Sequence, residues 1–561
     1  MIKLLLIFAY LACDFQAFSE RVASLGPSPA LAVFLALYLL FAGSLFLAAF
    51  IRSPAIRLPL AAAFAVASMF QQSFEWTTHG ALTYEAFLNM VNATDQTSEA
   101  LAQHGSVLAE AIPVALLLFF GIALPPRRPW VHPRLALAAP FVALGLLSSM
   151  LYARGGEGSR ALPAAYPPLS FAGFLAAERL TEDQTRGAVA LPRAQAPVPR
   201  DVVLLVDESI AGNYIDIDNP HGVPTGLAHP PANVRLFNYG YATSIYNCSA
   251  VSNFVLRYGG TRETYLETTR HGPSIWAYAR RAGLRTVYID GQSTGGRLQN
   301  MMTPAERAEI DDFIQLDGIP VRDRDMRIAQ LLAERINDGR PEFIYVNKVG
   351  AHFPLQDKYP DNMLRYRPAL ARGSSNPLVS WSSDRTGFGG TPAEWVLYRN
   401  SYRNTLLWNV GEFFHRLFAT ADLSKATIVY TSDHGQDLHE RGNPGKNTHC
   451  GASLEEPEEA LVPLMVIEGA GRPARDWQRT LAAHHNGMSH YRIFPTLLAL
   501  MGYDTRAAAA LYGPPLDDPA KDDFSTNVVF ANYLGRKPAF RHIDLGEIVD
   551  PPATDSRIAA R

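Results

Sequence analysis

The sequence predicts an α-helical membrane domain of about five spans, followed by a doubly wound α/β domain. Two observations predict this fold class. Apolar stretches long enough to cross a bilayer are confined to residues 1–152 of the 561-residue chain. From Asp201 onward, short β-branched runs alternate with helical segments, which is typical of a sheet with helices on both faces.

The composition of the whole chain hides this division. Hydrophobic residues make up 48%, charged residues 18%, and the net charge is −3, as in an ordinary neutral globular protein. These values exclude disordered, collagen-like and disulfide-rich chains. Because nucleic-acid binders carry a basic excess, we expect no nucleic-acid partner. Three cysteines do not fix a redox compartment by themselves.

Five apolar segments are candidate membrane spans. The segment at 30–51 carries no charge and is long enough to cross a hydrocarbon core of about 30 Å. The first segment has a rival interpretation as a cleaved signal peptide, but no small-x-small cleavage site follows it cleanly. The five segments are residues 1–18, 30–51, 57–70, 107–125 and 135–151.

Basic residues in the connecting loops predict the orientation of these spans. Arg52 and Arg57 lie between the second and third spans, and three arginines lie between the fourth and fifth. The long loop after the third span carries only acidic charges. Because basic loops stay on the cytoplasmic side, everything after Leu151 should lie outside. If the first segment is cleaved, the remaining four spans still place everything after Leu151 outside.

The rest of the chain divides into a connector, a large domain and a tail. Residues 153–200 are rich in glycine and proline, as connectors are. Within them, 169–180 is either an amphipathic helix on the membrane surface or a helix packed on the soluble domain. Residues 201–515 form the α/β domain. In the tail, 516–561, two alternating runs predict a hairpin at the sheet edge.

Acidic and histidine residues follow three predicted strands, at 202–206, 343–347 and 426–432. Ligands of doubly wound folds lie at the carboxyl ends of the strands. Carboxylate and imidazole groups from separate strand ends can meet at one metal ion, so we predict a metal site. In strand order, the polar residues are Asp207 and Glu208, then Lys348 and His352, then Asp433, His434 and His449.

A candidate nucleophile lies at the start of a helix between the first two strands. Cys248 or Ser249 opens this helix, and serine is also a common N-cap residue. A helix N-terminus favours an anion, and metal coordination makes an alcohol nucleophilic at neutral pH. The local sequence therefore leaves two interpretations of Ser249, a nucleophile and a cap.

These features together resemble the bacterial membrane-bound phosphoethanolamine transferases of the alkaline phosphatase and sulfatase superfamily. Five spans followed by an external α/β domain is the architecture of that family. The acidic loop YEAFLNMVNATDQTSEAL (84–101) resembles its periplasmic loop, and SHYRIFPTLLALMG (489–502) resembles the helix that closes its catalytic domain.

Shorter motifs extend the resemblance to single residues. VLLVDES (203–209) and TSDHGQDLHERG (431–442) resemble the family's two metal strands, which implies that Glu208, Asp433 and His434 are metal ligands. GAHFP and THCG resemble its two substrate-histidine loops. They supply His352 and His449 as substrate-binding residues.

The nucleophile region departs from the family. The transferases carry a threonine in a Gly-Thr-x-Thr-Ala-like context, and this chain reads NCSAVS at 247–252. One alignment places Cys248 at the formylglycine position of sulfatases, but their Cys-x-Pro/Ala-x-Arg motif requires an arginine where this chain has Ser252. The other alignment places Ser249 there, resembling alkaline phosphatases, and we favour it with Cys248 as the alternative.

Two cysteines adjoin residues to which the resemblance gives a role. Cys248 directly precedes Ser249, and Cys450 directly follows His449. Because both should lie near the metal centre in an oxidising periplasm, we expect them to form a disulfide. Cys13 lies in the first predicted span.

The resemblance implies a multi-pass protein of the bacterial inner membrane with its catalytic domain in the periplasm. It would move phosphoethanolamine from a phospholipid donor to a periplasmic glycan or lipid acceptor of the lipid A type, through a covalent enzyme intermediate. The cofactor would be a divalent metal, Zn²⁺ by preference. The implied residues are Ser249 as nucleophile and metal ligand, Glu208, Asp433 and His434 as the other ligands, and His352, His449 and Lys348 as substrate-binding residues.

Two other functions stay open at the level of the sequence. One is a membrane-tethered hydrolase of the phosphodiesterase, phosphatase or sulfatase type, in which water is the acceptor. The other is a catalytically inactive, membrane-anchored binding protein, which only the altered nucleophile motif supports. We expect a monomer, and the sequence does not name the acceptor.

Overall fold

The computed structural model describes most of the chain. The described residues are 1–78, 81–92, 97–127, 130–181, 185–193, 200–373, 391–442, 448–450, 456–471, 473–531, 534–552 and 557–558.

The N-terminal region is helical. Three of its helices, α3, α4 and α7, are long and apolar enough to cross a membrane, and the pair α1 and α2, bent by 54°, is a fourth candidate. The helices are α1 (Ile2–Cys13), α2 (Phe15–Leu25), α3 (Pro29–Ala48), α4 (Pro54–Thr78), α5 (Tyr84–Asn92), α6 (Thr97–Ala123), α7 (Pro133–Ala153) and α8 (Pro167–Thr181).

The described helices therefore provide three or four candidate spans, where the sequence predicted about five. The difference has two sources. The first predicted span breaks at Asp14, between α1 and α2, so its two halves cannot form one straight helix. The fourth corresponds to Val107–Ala123, an apolar stretch shorter than the other three.

The C-terminal part is built on one eight-stranded sheet. Its strand order is β4-β3-β5-β1-β7-β8-β2-β9. Two further two-stranded sheets pair β10 with β11 and β6 with β12. The strands are β1 (Asp201–Asp207), β2 (Val234–Thr243), β3 (Arg285–Asp290), β4 (Asp312–Gln315), β5 (Glu342–Asn347), β6 (Tyr366–Arg367), β7 (Ala426–Ser432), β8 (Leu461–Gly469), β9 (Met488–Ser489), β10 (Ser525–Val529), β11 (Ala539–His542) and β12 (Arg557–Ile558).

The centre of the sheet is parallel, as predicted, but β8 runs antiparallel to both of its neighbours, β7 and β2. A parallel crossover needs a dozen or more residues, usually a helix, between two strands. Among the described residues between β7 and β8, the only helical segment is a short 3₁₀ turn, Pro457–Ala460. The long connection between β7 and β8 places polar residues at the ends of the strands. It then leads the chain back beside β7 in the opposite direction.

Helices cover both faces of the sheet, and each face has its own apolar core. The long helical stretch before β7 consists of α14 and α15, joined by a π-helical segment at Leu407–Glu412. The helices of this part are α9 (Ser249–Tyr258), α10 (Tyr265–His271), α11 (Ile275–Arg281), α12 (Pro304–Arg307), α13 (Val321–Asn337), α14 (Pro392–Leu406), α15 (Phe413–Thr420), α16 (Gln478–His484), α17 (Ile493–Leu500) and α18 (Thr505–Tyr512).

The register of β5, β1 and β7 places the carboxyl ends of these three strands side by side. Val206 of β1 pairs with Asn347 of β5, and Asp207 pairs with Ser432 of β7. The residues that follow these three strands therefore leave the sheet at the same edge, as doubly wound folds require of a binding site.

The connector helix and the tail hairpin both pack against the membrane region. Helix α8 contacts α4 and α7, and its Phe171 is buried among their side chains, so this helix belongs with the membrane helices rather than the soluble domain. Strands β10 and β11 form the predicted hairpin, but as a separate sheet rather than at the edge of the main one. Val529 of this hairpin lies in the same apolar cluster as the membrane helices.

A buried hydrogen bond also links the membrane region to the strand-end face. The hydroxyl of Tyr246 donates to the Glu85 carboxylate of α5 at 2.6 Å, and both side chains are nearly inaccessible to solvent. Tyr246 also packs against Phe530, next to the hairpin strand β10. The segment that leads into α9 is therefore held by the loop between two membrane helices.

A buried ion pair anchors the far end of α9. The Arg257 guanidinium donates to Glu306 at 2.6 Å and to the carbonyl oxygen of Asn300 at 2.6 Å. We expect Arg257→Met to lower the free energy of unfolding by about 3 kcal/mol, because it leaves a buried carboxylate without its partner. Denaturant unfolding of the full chain in detergent, followed by tryptophan fluorescence, measures this loss. The double variant with Glu306→Met should lose less than the single one, and an equal or larger loss would contradict the explanation.

Candidate active site

Three buried side chains meet where β1 and β7 end. Glu208 directly follows β1, and Asp433 and His434 directly follow β7. All three are fully buried, and one ligand atom from each lies within 4.8 Å of the others. These are the three residues that the family resemblance assigned to a metal ion.

The hydrogen bonds of this cluster leave room for a cation. Asp433 accepts the backbone N–H groups of Ser209 and His434 on Oδ1, whereas its Oδ2 is buried and has no hydrogen-bond partner among the residues that the structure describes. The Nδ1 of His434 lies 2.7 Å from the carbonyl oxygen of Gly435, which it can meet only as a donor, so Nε2 is left free to act as a ligand. The donor set of two carboxylates and one imidazole fits a divalent ion such as zinc.

The electrostatics of the cluster are strongly coupled. Burial and the neighbouring Glu208 raise the pKa of Asp433 well above its usual value. Burial opposes protonation of His434, but Asp433 and Glu208 outweigh it and raise the pKa of the imidazole to about 9. Burial also opposes ionisation of Glu208, but hydrogen bonding to His434 and the nearby His352 hold its pKa well below the usual range. A divalent cation bound between the two carboxylates would offset their mutual repulsion.

Ser249 joins this cluster from the N-terminus of α9. Its Oγ donates to Glu208 Oε1 at 3.0 Å and lies 3.1 Å from His434 Nε2. The N-cap position is occupied by Cys248, and the Ser249 hydroxyl points to the acidic cluster instead of capping the helix. The interpretation of Ser249 as the helix cap is therefore wrong.

Cys248 and Cys450 form a disulfide in the structure, with a Cα–Cα distance of 4.7 Å. The backbone N–H of Cys450 also donates to the carbonyl oxygen of Asn247 at 2.9 Å. The cross-link ties the start of α9 to the His449 loop. Because the sulfur of Cys248 is bonded, the alternative in which Cys248 is the nucleophile is wrong for this oxidised state.

His449 and His352 flank the cluster. The ring of His449 stacks on His434 with a centroid distance of 4.4 Å, and burial together with His434 lowers its pKa well below the usual value. His352 stacks on Phe353, and its Nδ1 lies 2.7 Å from the Phe353 carbonyl oxygen. Both histidines therefore lie beside the three clustered side chains.

Lys348 is not positioned to bind a substrate. Its side chain is fully buried, its ammonium group donates to Asp207 at 2.7 Å, and it lies 4.0 Å from the centre of the Phe413 ring. The expectation that Lys348 holds a substrate anion is therefore corrected, because its charge is used in a buried ion pair beneath the cluster. Burial still raises the pKa of Asp207 to about 6, although Lys348 opposes the shift.

Three residues that support the cluster were not predicted from the sequence. Gln292 donates its amide N–H to Glu208 Oε2 at 2.8 Å. Gly350 has a φ of +52°, and a Cβ there would lie 2.5 Å from the carbonyl oxygen of Glu208. Asn409, in the π-helical segment, donates to the carbonyl oxygen of Gly350 at 2.6 Å. Gln292 could have been found, because it lies two residues after a short β-branched strand, β3, as the other site residues follow theirs.

Comparison with known proteins agrees with this fold and site. Residues 200–503, more than half of the chain, match the family model described as Sulfatase. The chain therefore belongs to the sulfatase family.

Individual relatives come from enterobacteria. The chain is 24% identical over 314 residues to the Kdo(2)-lipid A phosphoethanolamine 7''-transferase of Escherichia coli (strain K12), covering 53% of this chain and 51% of that protein. It is 21% identical over 326 residues to the enzyme of the same name from Salmonella typhimurium (strain LT2), covering 54% and 51%. The chain thus matches about half the length of these curated relatives.

A solved structure extends the similarity in fold to the membrane region. The integral membrane protein lipooligosaccharide phosphoethanolamine transferase A from Neisseria meningitidis superimposes with a TM-score of 0.64. The match covers 91% of this chain and 98% of that one, at 17% identity. The two proteins share a fold in which a helical membrane region precedes an α/β sulfatase domain.

The disulfide predicts a simple thiol count. Alkylation of the denatured, unreduced protein should label only Cys13, and labelling after reduction should reach Cys248 and Cys450 as well. Peptide mass spectrometry reads the labels. The Cys13→Ser variant should then carry no label before reduction, and a labelled Cys248 in the unreduced wild type would contradict the cross-link.

Because one buried oxygen of Asp433 has no hydrogen-bond partner among the described residues, we expect that removing the charge of this side chain weakens metal binding. Asp433→Asn should lower the zinc retained after dialysis by about tenfold or more, because it removes one of two anionic ligands. Elemental analysis of the purified protein measures the retained zinc. Asp218→Asn is a matched control, since Asp218 is a carboxyl whose pKa burial raises to about 7 and which lies outside the cluster. Equal zinc in the two variants would exclude Asp433 as a ligand.

Proposed function

We propose that this protein transfers phosphoethanolamine from a phospholipid to an acceptor of the lipid A type, through a covalent intermediate on Ser249. The observation that carries the proposal is the Ser249 hydroxyl, hydrogen-bonded to both Glu208 and His434 within a sulfatase-family site. The two relatives from Escherichia coli and Salmonella typhimurium, both Kdo(2)-lipid A phosphoethanolamine 7''-transferases, support both the transferred group and the class of acceptor.

Glu208, Asp433 and His434 would hold a divalent metal, which we propose to be Zn²⁺, with Ser249 as a further ligand. Such an ion, when bound, lowers the pKa of the serine hydroxyl and offsets the negative charge of a phosphate group. The three buried ligands and the unpartnered Asp433 oxygen support this assignment.

The chain's own residues would act in two steps. Ser249 Oγ attacks the phosphorus of the donor, the bond to the diacylglycerol oxygen breaks, and phosphoethanolamine stays on the serine. An oxygen of the acceptor then attacks the same phosphorus and releases Ser249. His352 and His449, on the flanks of the cluster, bind the phosphate oxygens or carry protons in both steps.

The membrane region has a direct role in this proposal, because a phospholipid donor is confined to the bilayer. We propose five spans, with the pair α1 and α2 as a bent first span and α6 as the fourth. The inner membrane and a periplasmic catalytic domain follow from the basic loops and agree with a disulfide next to the serine. We propose that the protein acts as a monomer.

Replacement of the serine tests the reaction class and the nucleophile together. Wild-type protein incubated with phosphatidylethanolamine should gain a phosphoethanolamine adduct at Ser249, and Ser249→Ala should gain none, because it lacks the attacking oxygen. Intact-mass and peptide mass spectrometry measure the adduct. Ser252→Ala is the control on the same helix and should retain the adduct.

Two results would contradict the proposal. An adduct at another residue would remove Ser249 as the nucleophile. Release of free phosphoethanolamine at the same rate with and without a lipid A acceptor would instead identify a hydrolase, in which water takes the place of the acceptor.

A further inference from the structure

The Glu208 carboxylate has different partners on its two oxygens. Oε1 accepts hydrogen bonds from the hydroxyls of Ser249 at 3.0 Å and Ser209 at 2.8 Å, and it lies 3.5 Å from Nε2 of His434. Oε2 accepts a hydrogen bond from the side-chain amide of Gln292 at 2.8 Å. One oxygen of the carboxylate therefore faces the proposed nucleophile and the imidazole, and the other is held by Gln292.

The Gln292 amide group is fixed by two acceptors. Its Nε2 donates to Glu208 Oε2 and also to the carbonyl oxygen of Lys348 at 2.9 Å. A carboxylate and a carbonyl oxygen only accept hydrogen bonds, so the NH2 end of the amide has to face them, and both of its hydrogens are used. The Oε1 of Gln292 is left buried, without a hydrogen-bond partner among the residues that the structure describes. Because such a buried acceptor is costly, we infer that the amide is oriented for its two donor hydrogens.

The backbone of the loop after β3 gives this side chain a fixed base. The N–H of Gln292 donates to Asp290 Oδ1 at 2.9 Å, and the N–H of Gly291 donates to the carbonyl oxygen of Asn347 in β5 at 2.8 Å. In the sheet, β5 lies between β3 and β1. Gln292 therefore reaches from an anchored loop, across the end of β5, to the residue that follows β1.

We propose that Gln292 is a positioning residue that makes Glu208 bind the metal ion through one oxygen. This inference rests on the metal ligands named in the proposed function and adds the residue that orients one of them. The hydrogen bond to Gln292 occupies Oε2, so that Oε1 is the oxygen offered to the ion. Hydrogen-bond partners of this kind commonly fix the orientation of a ligating side chain.

Binding through one oxygen leaves room for the substrate. Catalytic zinc sites keep a coordination position open and bind a fifth ligand in the transition state. With Glu208, Asp433, His434 and Ser249 as ligands, a second oxygen from Glu208 would take the position that a phosphate oxygen of the donor needs. Gln292 would prevent this without touching the donor itself.

Replacement of zinc by Co²⁺ in the full-length protein in detergent tests this role. Gln292→Met has a side chain of similar length but lacks both donor hydrogens, so it frees Oε2 to bind the ion. The coordination number should then rise, and the visible absorption per bound Co²⁺ should fall, because this absorption weakens when a tetrahedral ion gains a ligand. In the zinc enzyme, kcat for formation of the Ser249 adduct should fall about tenfold, with KM for phosphatidylethanolamine unchanged.

A glutamine of the same loop provides the matched control. Gln299 is only 4% exposed, and it is hydrogen-bonded to Ser293 and Asp290 instead of the metal-ligand cluster. Gln299→Met should therefore leave the absorption per bound ion and kcat unchanged. Gln292→Asn is a second variant, one methylene shorter, which cannot bridge both acceptors and should behave like Gln292→Met.

The possible results separate this inference from the proposed function. Equal absorption per bound Co²⁺ in the wild type and in Gln292→Met overturns the role of Gln292. A raised KM with an unchanged spectrum also overturns it, because Gln292 would then bind the substrate. A wild-type protein that takes up no Co²⁺ refutes the proposed metal site and this inference together. A wild-type protein that binds Co²⁺ but forms no adduct refutes the transferase reaction alone, and the spectrum of Gln292→Met still decides the inference.

Discussion

Two buried carboxylates beside a single imidazole are the constraint on which the rest of the site depends. Glu208 and Asp433 lie in a fully buried cluster, where a pair of like charges is costly unless a cation joins them. The parallel register of β1 and β7 brings these carboxylates together, and the N-terminus of α9 adds the Ser249 hydroxyl. Ser249, the proposed nucleophile, is therefore positioned by the same carboxylate cluster that favours a bound cation.

Buried polar contacts next to the cluster stabilise this arrangement. Lys348 neutralises Asp207 under the cluster, and Asn409 fixes Gly350, whose missing side chain lets the loop approach the Glu208 backbone. The π-helical segment that carries Asn409 is the kind of local irregularity often found at functional sites. These contacts explain why a charged residue at a strand end can be structural rather than catalytic.

Much of the fold followed from local patterns, because apolar periodicity and strand-end chemistry are properties of short segments. The strand at 426–432, the acidic and histidine residues at the strand ends and the hairpin of the tail were all predictable in this way. The reversal of β8 and the burial of Lys348 were not, since both depend on what packs across the sheet. Strand β2, with only partial alternation of buried residues, gave no clear signal either.

The contact between Glu85 and Tyr246 has a consequence for how the molecule works at a surface. Tyr246 precedes Ser249, the proposed nucleophile, by three residues, so the loop between two membrane helices is hydrogen-bonded to the segment that leads into α9. The α/β domain is therefore not joined to the membrane helices by a flexible linker alone. Its height and tilt above the bilayer are set by the membrane helices, and under the proposed function a lipid headgroup would have to rise to reach Ser249.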